Sequence, residues 1–206
     1  MVVGFDLDMT LVDSRPGIAA AFRELSRRTG VPIDAEAAVN RLGPPLEVEI
    51  ARWYPPDMVE PVAGRYRALY PDHAITPSPV LPGAAAAIEA VRARGGQVIV
   101  VTAKATELAR LHLAHLGLVV DEVYGRVWGE GKAEVLRATG AFAYAGDHVS
   151  DIAAARSAGV LAIGVPTGPC PAVDLAAAGA DVVLPDLTAF PAWLARIQLG
   201  PRVSDD

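Results

Sequence analysis

Short apolar runs that end in a polar residue recur along this 206-residue chain, with stretches of helical composition between them. Val2-Val3-Gly4-Phe5 runs into Asp6, and Gln97-Val98-Ile99-Val100-Val101 runs into Thr102. Ala141 to Ala145 leads into Gly146-Asp147, while Val160 to Val165 and Asp181 to Leu184 complete the set. None alternates apolar with polar residues, as a strand with one wet face does. Uninterrupted apolar strands joined by helices predict a mainly parallel sheet covered on both faces, an α/β architecture. The joining helices are expected from about Ala105 to Leu116, from Lys132 to Arg137, over Asp151 to Ala158, and near Leu187 to Ile197.

Residues 15 to 79 have a different character. Gly17 to Thr29 sets apolar residues at helical spacing among Arg and Glu, and Asp34 to Leu42, Leu46 to Trp53 and Pro56 to Tyr70 are further helix candidates. Prolines punctuate the span, and no β run crosses it. It reads as an all-helical insertion after the first strand, returning through Pro77, Pro79 and Pro82 to a helix that begins near Gly83. The expected division is 1–14 with 80–206 as the core and 15–79 as the insertion.

Composition narrows the function. The chain is 52% apolar with a net charge of -6, which suits one substantial core and gives no basic footprint for a nucleic-acid polymer or an acidic membrane. No apolar run reaches the length of a membrane span. An apolar strand starts at position 2 with no secretory leader before it, so a cytoplasmic location is expected. The lone Cys170 offers neither a disulfide nor a zinc grouping. Of 18 basic side chains only Lys104 and Lys132 are lysines. A lysine retained in so arginine-rich a chain raises the expectation of a role specific to the ammonium.

Asp6-Leu7-Asp8 carries the most chemical information. Residues two apart in an extended segment point the same way, so both carboxylates leave the strand end toward one place. Their repulsion is relieved by a hard divalent cation, and Mg²⁺ prefers such oxygen ligands. The competing reading is a solvated acidic turn. Asp147 and Asp151 form a second acidic pair, expected at the carboxyl edge of the sheet, where open α/β folds bind ligands; Asp151 also reads as a helix cap. Thr102, at a strand end before a helix, has a hydroxyl suited to a phosphoryl oxygen or, equally, to capping. Lys132 lies in a helix's first turn, where an ammonium is disfavoured unless an anion is near.

These motifs together resemble the haloacid dehalogenase superfamily, in particular its phosphatases with a small helical cap, close to phosphoglycolate phosphatases. The first motif matches Asp6-Leu7-Asp8-Met9-Thr10-Leu11-Val12-Asp13-Ser14, the second Thr102, the third Lys132, and the last Gly146-Asp147-His148-Val149-Ser150-Asp151. The resemblance implies a Rossmann-like three-layer core with an inserted helical cap. It implies that Asp6 attacks phosphorus to form an aspartyl-phosphate, and that Asp8 serves as acid and then base. It further implies Mg²⁺ at Asp6, Asp147 and the Asp8 carbonyl, with Asp151 as a ligand or just behind one. Thr102 and Lys132 would hold phosphoryl oxygens, and Lys132 would also restrain Asp6.

Neighbouring chemistries rank lower. The dehalogenases typically lack the second aspartate, present here as Asp8. Phosphonatases use a cap lysine, and residues 15–79 contain none; the mutases' cap lysine is missing too. Ala133 stands where a proline often follows the third-motif lysine, and Trp128-Gly129-Glu130-Gly131 before it is distinctive. Hinges are expected near Asp13 to Gly17 and Thr76 to Gly83. Arg15, Arg41, Arg65 and Arg67 are the cap cations. Arg41, beside Leu42-Gly43-Pro44, is the favoured contact to the substrate, a small phosphate ester. Phosphoglycolate is the first such ester, with nucleotide and sugar monophosphates next. A phosphomutase and an inactive phosphate-binding scaffold are the remaining alternatives. A monomer is the working expectation, a dimer the alternative.

Overall fold

The computed structural model describes residues 1–197; the last part of the expected core, 198–206, lies outside the described residues. The elements run β1 (Val2–Phe5), α1 (Arg15–Thr29), α2 (Ala35–Val39), α3 (Leu46–Ile50), α4 (Val59–His73), α5 (Ala84–Arg92), β2 (Gln97–Val101) and α6 (Thr106–His115). The chain continues through β3 (Glu122–Tyr124), α7 (Glu130–Ala138), β4 (Ala141–Gly146), α8 (Val149–Ala158), β5 (Leu161–Gly164), α9 (Ala172–Ala177), β6 (Val182–Val183) and α10 (Phe190–Arg196). The strands pair in parallel in the order β3-β2-β1-β4-β5-β6.

Both sheet faces are covered, which is why the strands carry no polar alternation. Val3, Phe5, Val98, Val100, Ala145 and Ile163 pack on one side against α5, α6 and α10. Phe5 and Phe190 meet there with ring centres 5.3 Å apart. The intervening residues Ile99, Val101, Tyr144 and Ala162 face α7, α8 and α9 through Leu136, Ile152 and Leu175. Each fully buried Val, Leu, Ile or Phe contributes about 1.5–3 kcal/mol relative to exposure, so the three layers follow from the run composition.

Helices α1 to α4 enclose a hydrophobic cluster of their own, with Ile18, Phe22, Leu25, Ile50, Val62 and Tyr66 buried together. Leu108 of α6 joins this cluster, so the inserted helices sit directly on the sheet's carboxyl side. Among the described residues, no helix is long and apolar enough to cross a membrane.

Several boundaries differ from expectation. The helix over 34–42 is shorter, α2 starting at Ala35, where Asp34 caps it by accepting from the Ala37 backbone N–H at 2.9 Å, and ending at Val39. The helix over 46–53 ends at Ile50, and that over 56–70 is a 3₁₀ turn (Pro56–Met58) followed by α4. The closing helix likewise opens as a 3₁₀ turn, Leu187–Ala189, whose start is held by the Asp186 carboxylate. Strand β3 and helix α9 were not expected: β3 is three residues long and begins on Glu122, too short for a periodic signal.

Candidate active site

The strand order reverses between β1 and β4, since the chain first builds outward through β2 and β3 and then through β5 and β6. Such a switch point leaves a crevice outside the carboxyl ends of the two central strands. Asp6 follows β1, and its backbone N–H donates to the Ala145 carbonyl of β4 at 2.9 Å. Asp147 follows β4, and Asp151 lies in the first turn of α8. One carboxylate oxygen from each of Asp6, Asp147 and Asp151 lies within 4.8 Å of the others, and all three residues are buried.

One buried cation serves this cluster. Lys132, 1% exposed, donates from Nζ to Asp6 Oδ1 at 2.9 Å, to Asp151 Oδ1 at 2.7 Å and to the Tyr144 hydroxyl at 3.0 Å. All three ammonium hydrogens are thereby committed. Burial alone would strip Lys132 of its proton, but Asp151 and Asp6 outweigh burial and hold its pKa well above the ordinary lysine value. Tyr144 in turn donates its hydroxyl hydrogen bond to the Val101 carbonyl at 2.7 Å. Asp151 fulfils both sequence readings at once: Oδ1 meets Lys132 while Oδ2 accepts from the His148 backbone N–H at 3.2 Å, closing a capping box.

Three carboxylates and one ammonium leave negative charge in excess. Burial pushes Asp6 up to about 7 against the pull of Lys132, with Asp151 and Asp8 adding to the rise. Burial and Asp6 hold Asp147 well above the carboxylate range. The oxygen-only donor set and this uncompensated charge fit a hard divalent cation such as Mg²⁺. The backbone is shaped to match: a Cβ on Gly168 would lie 1.7 Å from Asp147 Oδ2, so glycine leaves the space that carboxylate occupies. The Thr10 hydroxyl donates to Asp147 Oδ1 at 3.2 Å.

Asp8 belongs to a second arrangement. Its Oδ1 accepts from Lys104 Nζ at 2.6 Å, and the same ammonium reaches the Tyr70 hydroxyl of α4 at 2.5 Å and His112 Nδ1 of α6 at 3.4 Å. His112 is fully buried, and its Nε2 lies 3.3 Å from the Ala74 carbonyl. Burial and then Lys104 push its pKa down to about 4, which keeps the ring neutral. Burial pushes the Asp8 carboxyl up, but the charge and hydrogen bond of Lys104 overcome it, and Asp8 ends below the usual carboxylate value. Asp8 is not in the three-carboxylate cluster; its side chain is spent on Lys104.

The loop between Asp8 and Val12 turns through Met9 at φ 61°, a left-handed conformation uncommon for a side chain of that size. It is held by Met9 N–H to the Val12 carbonyl at 2.8 Å and by the Thr167 hydroxyl on the Met9 carbonyl at 2.5 Å. Thr102 follows β2 and is 1% exposed; its Oγ1 accepts the Lys104 backbone N–H at 3.2 Å, leaving the hydroxyl proton free to donate. Trp128 leans toward His148, ring centres 5.5 Å apart, and its ring centre is 5.8 Å from Lys132 Nζ.

Asp6, Asp8, Thr102 and Lys104 open into a cavity of about 220 Å³ whose far walls come from α1, α3 and the loop before α3. Arg41 lines it, but its guanidinium is held by Glu49 at 2.5 and 3.0 Å. Gly43, at φ 130°, brings that loop against His148: a Cβ there would lie 2.8 Å from the imidazole Cδ2. Sequence reasoning assigned no role to Lys104, Tyr70, His112 or Gly168. Only the scarcity of lysine pointed at Lys104.

Residues 3–156 match the family described as haloacid dehalogenase-like hydrolase. The chain is 30% identical over 118 residues to the tyrosine-protein kinase PtkA of Mycobacterium tuberculosis, a match that spans 57% of this chain and only 40% of that protein's length. It is 32% identical to the phosphoglycolate phosphatase of Rhodospirillum rubrum over 95% of this chain and 91% of the relative. A haloacid dehalogenase-like hydrolase from Streptococcus pneumoniae superimposes with a TM-score of 0.81 at 24% identity, covering 94% of this chain and 97% of that one.

Proposed function

Because the chain belongs to the haloacid dehalogenase-like hydrolase family, we propose that it is a Mg²⁺-dependent phosphate monoester hydrolase that works through an aspartyl-phosphate on Asp6. The observation that carries this reading is the buried Asp6, Asp147 and Asp151 cluster, tied by Lys132 and placed beside an independently paired Asp8. Asp6 and Asp147 would hold the cation with the Asp8 backbone carbonyl, and Asp151 would hold Lys132 against them. When bound, the cation offsets the repulsion between the Asp6 carboxylate and an anionic phosphoryl group.

Asp6 attacks phosphorus, the ester P–O bond breaks, and the departing alkoxide takes a proton from Asp8. Water then attacks the acyl-phosphate while the Asp8 carboxylate takes its proton; Asp6 is regenerated and inorganic phosphate leaves. Lys104 keeps Asp8 ionised in the empty site, the state the second step needs. An incoming phosphoryl dianion works in the other direction and favours the protonated acid of the first step. Thr102 donates its free hydroxyl to a phosphoryl oxygen. Lys132 restrains Asp6, and it reaches a phosphoryl oxygen only by releasing the neutral Tyr144 hydroxyl.

Residues 15–79 act as a cap over a core of 1–14 and 80–206, and the protein works as a monomer on a small ester. The name of the Rhodospirillum relative makes phosphoglycolate the first ester to assay, with nucleotide and sugar monophosphates after it. Rapid acid quenching during turnover with Mg²⁺, followed by mass spectrometry, should find a hydroxylamine-sensitive phosphoryl group on Asp6. Turnover with phosphate found on another residue would sink the nucleophile assignment, and phosphate carried on Asp6 without hydrolysis would favour a transferase.

A further inference from the structure

We propose that the ester cleaved here carries a compact apolar leaving group, an alkyl or aryl alcohol, and not a short acid, a sugar or a nucleoside. The inference rests on the phosphatase reading and concerns the cavity that extends away from Asp6 and Asp8. Most of its wall surface is apolar, supplied by Ile18, Phe22, Leu42, Pro44, Leu46 and Leu108 of the inserted helices and α6, with the Tyr66 ring and the Arg41, Glu49 and Arg52 group also lining it.

The charged groups that reach this space are already paired. Glu49 binds Arg41 through both carboxylate oxygens, accepts from the Trp53 indole N–H at 3.1 Å, and lies 3.4 Å from the Arg52 guanidinium. Lys104 is committed to Asp8 and Tyr70. Arg52, its side chain 54% exposed, stands where water screens it. A carboxylate entering between these walls would have to compete with Glu49 for Arg41 and Arg52, the latter screened by water, while facing the charge of Asp8. Burying an anion without a free partner is strongly unfavourable. Sugar hydroxyls meet the same difficulty more weakly, since the walls offer them few free donors or acceptors. Size favours a compact group over a nucleoside: at about 220 Å³ the cavity falls below the roughly 300–1,000 Å³ usual for larger ligands. An apolar group asks only for removal from water, which these walls supply.

The full chain with Mg²⁺ is assayed on ethyl, butyl and hexyl phosphate, on 2-phosphoglycolate, and on acetyl phosphate as a small activated acyl phosphate. The alkyl alcohols differ little in acidity, so the series isolates contact with the cavity. Burial of one methylene is expected to raise kcat/KM by roughly fourfold until the cavity is full, placing butyl phosphate at least about tenfold above phosphoglycolate. Alkylphosphonates, which cannot be hydrolysed, should tighten in parallel by calorimetry with a negative heat-capacity change. Leu46→Ser, in a variant whose circular dichroism matches the parent, should flatten both series. Turnover with a flat chain-length series, or with phosphoglycolate preferred, overturns the apolar assignment and leaves the phosphatase reading standing. No turnover of any of these phosphates, acetyl phosphate included, removes the phosphatase reading and this inference with it.

Discussion

The strand ends and the inserted helices treat charge in opposite ways. At the carboxyl edge of the sheet, three carboxylates share one ammonium: burial pushes Asp6 up to about 7 and, with Asp6 beside it, holds Asp147 well above the carboxylate range. In the inserted helices arginines lie against acids, Arg41 and Arg52 sharing Glu49 and Arg67 meeting Glu47 and Glu60. Unrelieved charge is poised to bind ions and react; matched charge leaves only shape and apolar surface to discriminate. On the proposed reading, chemistry and selectivity belong to physically different surfaces that meet at Asp8.

The largest test of that division is Asp6→Asn. Turnover of every ester should fall by at least about 10³-fold, as for loss of a nucleophile, while alkylphosphonate binding keeps its dependence on chain length. Loss of the chain-length trend in the same variant would show that the two surfaces are not separable. Lys104→Met probes where they meet. Without the ammonium, burial pushes Asp8 upward, and kcat should drop about 10–100-fold, part of the ~10²–10⁴ that acid–base catalysis supplies. An unchanged rate would reduce Lys104 to a packing residue.

Gly168→Ala attacks the ion-binding surface without touching a charge. The new Cβ cannot coexist with Asp147 as placed, so Mg²⁺ affinity, read from the metal dependence of turnover, should weaken by about 10–100-fold. Wild-type affinity in this variant would place the cation away from Asp147.

Stability against pH tests the excess charge directly. Without divalent cation, the folded protein retains protons on Asp6 and Asp147 that the unfolded chain has released, so stability falls as pH rises. His112, pushed down from 6.5 to about 4, opposes this trend only below about 6.5, where the unfolded imidazole charges and the folded one does not. Above that point the carboxylates prevail. In chelator, Tm should decline by a few degrees from pH 6.5 to about pH 8, and Mg²⁺ should remove the decline. A Tm that rises over this range in chelator would mean that the cluster is satisfied without a cation. The smallest effect belongs to Arg41→Ala, which should alter kcat/KM for alkyl phosphates by less than about threefold, since Glu49 already occupies the guanidinium. A larger loss confined to phosphoglycolate would restore Arg41 as a carboxylate ligand.

What could be read in advance follows the same division. Asp6, Thr102 and Asp147 each terminate an apolar run, and a parallel sheet brings such ends to one edge, so the run pattern put these candidates together while the family resemblance supplied their roles. The partner of Asp8 lay hidden because Lys104 is 96 residues away and sits three residues past the end of β2, where a solvated lysine is unremarked. Arg41 looked like a free cation because its neutraliser, Glu49, lies eight residues on, across a loop that no helical spacing spans. Strand β3 escaped because its three residues join the sheet through pairing with β2 and carry no pattern of their own. Local pattern reports what a residue is; it does not report which distant group will cancel it.

The contact between Lys104 and Tyr70 has a consequence for how substrate and proton are coupled. Tyr70 belongs to α4, in the wall of the leaving-group cavity, while Lys104 sets the proton affinity of Asp8. A group that shifts α4 on entering the cavity therefore changes the hold of the ammonium on the acid. By thermodynamic reciprocity, the protonation of Asp8 must change the grip on that group by the same factor. Occupancy of the cavity and protonation of Asp8 then become two readings of one equilibrium.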